Sequence, residues 1–184
     1  MKKNKIIFGA ATIVACFLWS FISVSVYKTN SGKVSFFSET PAMNIDANSE
    51  VLSSIINPEN NTMAFSVQNT SFKFSNSFME EHFNEKYMES DKYPRSTFSG
   101  KINEAIDLKK DGTYQVTATG KLNVHGVEQP RTINGTITVR QGKLHLKSVF
   151  PVKLVDHKIE VPTLVTEKIA EEIRVTVDSD FNMQ

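Results

Sequence analysis

The chain has 184 residues, 40% of them hydrophobic and 22% charged, with 21 basic side chains against 20 acidic ones. This is globular composition, enough for one domain with a substantial core and short for two. A net charge of +1 argues against a nucleic-acid partner, whose phosphates call for a surplus of Lys and Arg.

The N-terminus differs from the rest. Lys2, Lys3 and Lys5 precede an uncharged stretch from Ile6 to Val26, and no acidic residue occurs before Glu39. A basic start, an apolar run and the small residues Ser23-Val24-Ser25 have the three parts of a secretory signal, with cleavage after Ser25. About 20 apolar residues also suffice to span a bilayer, so a membrane anchor formed by residues 6–26 is the alternative. Ile13-Val14-Ala15-Cys16 is similar to a lipobox, but Phe17-Leu18-Trp19 continues the apolar run, and Cys16 reads better as a small hydrophobe. Each option places the domain outside the cytoplasm, periplasmic or secreted. The expected division is residues 1–25 as leader and 26–184 as one domain.

Past the leader the dominant period is two, the mark of strands with one buried face. Short pieces come first: Val34 to Phe36, Met63 to Val67, and Phe72 to Phe74. Met63, Phe65 and Val67 are odd-numbered while Phe72 and Phe74 are even, so a bulge or a bend between two strands lies at Asn69-Thr70-Ser71. One helix follows. Ser77 to Glu80 matches a capping box, and Met79, Phe83 and Tyr87 fall on one helical face before Pro94. Phe98 to Ile102 is again extended. Longer strands occupy 114–124, 133–139, 144–154 and 173–181, with turn signals at Asp111-Gly112 and Gln141-Gly142. A weaker helical turn is expected in 163–170. Consecutive strands joined by tight turns favour an antiparallel sandwich or barrel.

Without residues 1–25 the domain loses three lysines, the only Cys and the only Trp. It becomes mildly acidic and has no disulfide of its own to supplement packing. His82, His125, His145 and His157 show neither HExxH nor HxH spacing, and His125 and His145 fall on polar strand parities. No phosphate loop, GxSxG elbow or calcium loop occurs. No cofactor and no metal are expected. Glu81, His82 and His125 are the polar residues available to an enzyme working at a barrel mouth.

The inward parities of the four long strands hold no charged residue. If the interior is hollow, its guest is long, apolar and neutral, because an uncharged lumen cannot neutralise a buried carboxylate. If it is filled, it is an ordinary core.

Residues 75–102, SNSFMEEHFNEKYMESDKYPRSTFSGKI, after Phe72-Lys73-Phe74, resemble the middle of the YceI-like family in its short form. Lys121 to Pro130, KLNVHGVEQP, is similar to that family's strand and turn, and Tyr27 to Pro41 to its first mature strand. Asp156-His157 departs from the Asp-Tyr common in the short form, and the Arg-rich ending of longer relatives is absent. The resemblance implies a mainly β chain, a lipocalin-like antiparallel β-barrel with one short helix covering an opening. It also implies export and a lipid or polyisoprenoid, quinone-like molecules included, in an apolar tunnel, without catalysis.

The residues expected to line that interior are Phe36, Phe65, Val67, Phe72, Phe74, Phe98, Ile102, Val116, Leu122, Val124, Ile137, Leu146 and Phe150, with Phe78, Met79 and Phe83 on the covering helix. The expected partner is an apolar lipid, with a membrane involved as its source or through an uncleaved leader. The alternatives are a ligand-free envelope-stress or structural barrel and the barrel-mouth enzyme.

Overall fold

A computed structural model of the chain describes residues 25–162 and 169–184. The leader and most of the 163–170 turn therefore lie outside the described residues. Nine strands run antiparallel: β1 (Tyr27–Glu39), β2 (Asn44–Asn57), β3 (Thr62–Gln68), β4 (Lys73–Phe74), β5 (Arg95–Ile102), β6 (Gly112–Val124), β7 (Val127–Arg140), β8 (Lys143–Lys153) and β9 (Glu172–Met183). The hydrogen-bonded order is β1-β9-β8-β7-β6-β5-β3-β2, and β1 pairs with β2 to close an eight-stranded barrel. Closure leaves no long open edge. β4 continues the line of β3 along β2, from which it is separated by a 3₁₀ turn at Asn69–Ser71. The phase break is thus a bend between two strands. Asn69, fully buried, holds it by donating to the Tyr93 carbonyl at 2.6 Å and accepting from Ser96 Oγ at 2.8 Å.

The long strands carry the expected parities inward, but three local expectations need correction. β2 is a full strand that period-two counting misses. Its inward positions are Ala47, Ser49, Leu52, Ser54 and Ile56, and their phase flips between Ser49 and Leu52, where the β1–β2 register shifts. Small polar residues and an irregular register erase the alternation. Asp111-Gly112 is no hairpin turn: the β5–β6 connection covers residues 103–111, and the Asp111 carboxylate accepts from Gln141 N at 2.9 and 3.1 Å. His125 is not a strand residue. With φ of 53° at His125 and 70° at Gly126, the pair forms the tight β6–β7 turn, as Gln141 (50°) and Gly142 (75°) do between β7 and β8. A side chain at Gly126 would collide with the Tyr93 ring, so glycine is required there for space as well as backbone angle.

The helix α1 (Ser77–His82) continues as a π turn through Phe83–Tyr87. Its cap is Asn76, one residue before the expected Ser77: Asn76 Oδ1 accepts from Phe78 N at 2.8 Å. Glu80 turns instead to Lys73 Nζ at 2.6 Å and the Phe74 amide at 3.4 Å, tying the helix to β4. The Lys73 bond, first among the causes, holds the Glu80 carboxyl below its ordinary pKa. Among the described residues, no helix is long and apolar enough to cross a membrane.

Candidate ligand cavity

The barrel is filled at one end and hollow at the other. At the end carrying both described termini and the β7–β8 turn, Tyr27, Ile56, Ile102, Leu108, Ile137, Val139, Leu144 and Phe181 are each 2% exposed or less. Leu108 comes from the β5–β6 connection and enters the bore as a stopper, and the Tyr27 hydroxyl donates to its carbonyl at 2.7 Å.

Toward the helix end the inward side chains stop meeting one another and surround a cavity of about 540 Å³. Its wall contains no Asp, Glu, Lys or Arg among the described residues. The serines that reach it are largely turned into the protein: Ser148 Oγ donates to the Asn134 carbonyl at 2.6 Å, Ser96 Oγ to Asn69, and Ser38 Oγ accepts from Ala170 N at 2.9 Å. What faces the lumen is therefore mostly carbon. Phe36, Phe65, Phe74, Phe83, Val124 and Phe150 point inward yet are only partly buried, because they border empty space.

Phe36, Phe72, Phe74 and Phe83 form one aromatic cluster with ring centroids 5.1–5.7 Å apart, fastening α1 and its π turn to β1 and β4. Such pairs contribute about 0.5–1.5 kcal/mol each beyond burial. The cavity reaches the surface beside the helix, where Phe78 lines it and is 61% exposed.

Of the sixteen residues expected from sequence, all but two line this cavity; Ile102 and Ile137 belong to the filled end. Sequence reasoning missed Met43, Ile45, Leu52, Met88, Ile159 and Ile169, which also line it. Ile45 and Leu52 were hidden by the phase flip of β2. The others come from connections, where period-two reasoning gives no signal.

One side of the rim is knit by polar contacts. His125 Nδ1 lies 3.2 Å from the His157 carbonyl oxygen and its Nε2 2.7 Å from Glu89 Oε2, with the Tyr93 ring edge-on at 4.7 Å. The His157 Nδ1 donates to the Val127 carbonyl at 3.0 Å, and Arg131 pairs with Asp156 at 2.6 Å. His157 is fully buried, and burial pushes its pKa below the ordinary histidine value. The proposed enzyme trio is not assembled: His82 lines the cavity, Glu81 is exposed, and His125 is committed to Glu89. Among the described residues no His, Cys, Asp and Glu cluster could hold a metal.

A closed eight-stranded antiparallel barrel with an apolar cavity under a short helix is a lipocalin-like barrel. Its family is narrower than that. The YceI-like domain model matches residues 20–181, and the chain belongs to that family. The fold is shared with a polyisoprenoid binding domain from Saccharophagus degradans (TM-score 0.75, 13% identity, covering 88% of this chain and 99% of that one). It is also shared with Burkholderia cenocepacia BcnA (TM-score 0.69, 18% identity, 82% and 95% covered). The Campylobacter jejuni YceI protein has a TM-score of 0.60 at 17% identity, with 73% and 82% covered. No curated protein matches the chain by sequence.

Proposed function

We propose that the protein is an exported, non-catalytic carrier that holds a long neutral lipid or polyisoprenoid with its apolar tail in the cavity. The observation that carries this reading is a cavity of about 540 Å³ whose wall contains no Asp, Glu, Lys or Arg among the described residues. Such a wall gives an anionic or cationic group nothing to pair with, while each buried methylene of a tail gains about 0.8 kcal/mol. The polyisoprenoid-binding relative from Saccharophagus degradans supports the ligand class. The basic, apolar, small-residue order of the first 25 residues supports export to the periplasm or beyond. His125 held by Glu89 supports binding rather than catalysis.

Native mass spectrometry of protein purified from its own cell envelope tests the proposal. The expected result is a mature chain beginning near Val26 that carries a neutral lipid adduct, released into organic solvent. A wild-type protein with no adduct and no extractable lipid would refute the carrier reading. A chain that retains Met1, or one that starts at a lipidated Cys16, would refute cleavage after Ser25.

A further inference from the structure

We propose that Phe65, braced on Phe98 and Phe181, is the stop that sets how long an apolar chain the cavity admits. This inference rests on the carrier reading above. Phe65 lines the cavity and stands between the two regions of the bore: its ring centroid lies 6.4 Å from that of Phe98, which also lines the cavity. It lies equally far, and edge-on, from Phe181, which is 1% exposed and belongs to the filled end.

Phe98 is itself locked. A side chain at Gly100 would stand 2.8–2.9 Å from the Phe98 ring, so the ring occupies the space that a residue at 100 would fill. It lies along the β5 wall toward the filled end. Gly100 faces Gly120 across the β5–β6 ladder, and a side chain at Gly120 would run into the backbone of Ser99 and Gly100. The wall beneath Phe98 is therefore backbone at close approach. Below stand Ile102 and Ile137, each 2% exposed or less and in one buried cluster with the Leu108 stopper.

The stop has a length attached. At about 30 Å³ for each water-sized unit, the cavity takes on the order of 18 such units, close to a chain of roughly four isoprene units. Carbons beyond that count remain outside the floor and emerge past Phe78. The stop thus makes affinity rise with chain length and then level off.

Farnesol, geranylgeraniol and solanesol, neutral prenyl alcohols of increasing length, measure this in competition binding to the delipidated protein. Wild type is expected to bind geranylgeraniol more tightly than farnesol and solanesol no more tightly than geranylgeraniol. In Phe65→Ala the plateau moves out, and solanesol gains on the order of tenfold over geranylgeraniol, the worth of about two further buried methylenes. Phe150→Ala, on the wall away from this floor, weakens all three without moving the plateau. Ala118→Leu, which adds bulk beside Ile102 at the foot of the cavity, brings the plateau down to farnesol. That variant keeps the test open if Phe65→Ala does not fold.

A wild-type affinity that climbs through solanesol, or a plateau that neither Phe65→Ala nor Ala118→Leu moves, overturns the stop and leaves the carrier reading intact. Failure of wild type to bind any of the three alcohols, or any lipid of its own envelope, overturns the carrier reading and the stop with it.

Discussion

The two ends of this barrel are made from the same alternating strands and differ in what occupies the bore. At the filled end, eight large side chains interdigitate to 2% exposure or less, and one of them, Leu108, is delivered by a connection rather than a strand. At the helix end the inward residues are just as apolar, yet they ring a void and keep one side uncovered. The difference shows that inward apolar parity specifies a barrel without specifying that it is solid. Closing the bore requires side chains that enter along its axis, and at the filled end the β5–β6 connection supplies one in Leu108.

Placing a charge in each end gives the largest expected contrast. Ile137→Glu puts an unpaired carboxylate among residues with no room for water, at a cost of several kcal/mol against a typical domain stability of about 5–15 kcal/mol. It should fail to fold or melt far below wild type. Val124→Glu, in the half-buried cavity wall, can hydrate from the lumen; it should fold, melt closer to wild type and lose its extractable lipid. Equal losses in thermal melts of the two variants would erase the distinction between the ends.

Truncation should sharpen the comparison with a smaller effect. Leu108→Ala removes fewer atoms than Phe150→Ala but empties a packed site, so it should cost about 2–5 kcal/mol. In delipidated protein Phe150→Ala already borders space and should cost about half as much or less. Urea unfolding of both would show it; a larger loss for Phe150→Ala would mean that the helix end is as tightly packed as the other.

The two ends should also respond differently to acid. Because burial lowers the His157 pKa, the unfolded chain binds the proton that the folded chain refuses. The contribution of neutral His157 is full above about pH 6.5 and is lost progressively as pH falls below it. Hydrogen exchange around 125–131 and 154–159 should therefore quicken as pH falls below neutrality, beyond the change in intrinsic rate, before the filled end loosens. His157→Phe should flatten that dependence. A pH response confined to the filled end would contradict the assignment.

The smallest effect is expected at His82. Its ring lies tilted against the exposed Phe78, centroids 4.0 Å apart, and His82→Ala should change stability by less than about 1 kcal/mol and leave lipid content as in wild type. A folded His82→Ala protein that loses a measurable turnover would restore the enzyme reading.

Much of this protein is set by patterns that act locally. The parities of β6 to β9 are legible because every second residue must meet either water or the bore, whatever lies further away. The same holds for the tight turn at Gln141-Gly142 and for Met79, Phe83 and Tyr87 turned toward the cavity. The β2 strand was less legible, because a register shift and inward serines remove the alternation that a strand otherwise shows. The tertiary structure alone decided where the bore is full. Ile102 and Ile137 have the same parity and chemistry as the residues that line the cavity, and only their level along the barrel, opposite Leu108 and Tyr27, makes them core. That level depends on strand stagger and on where a connection folds inward. Both are long-range properties, since a cavity is defined by the side chains that fail to meet across it.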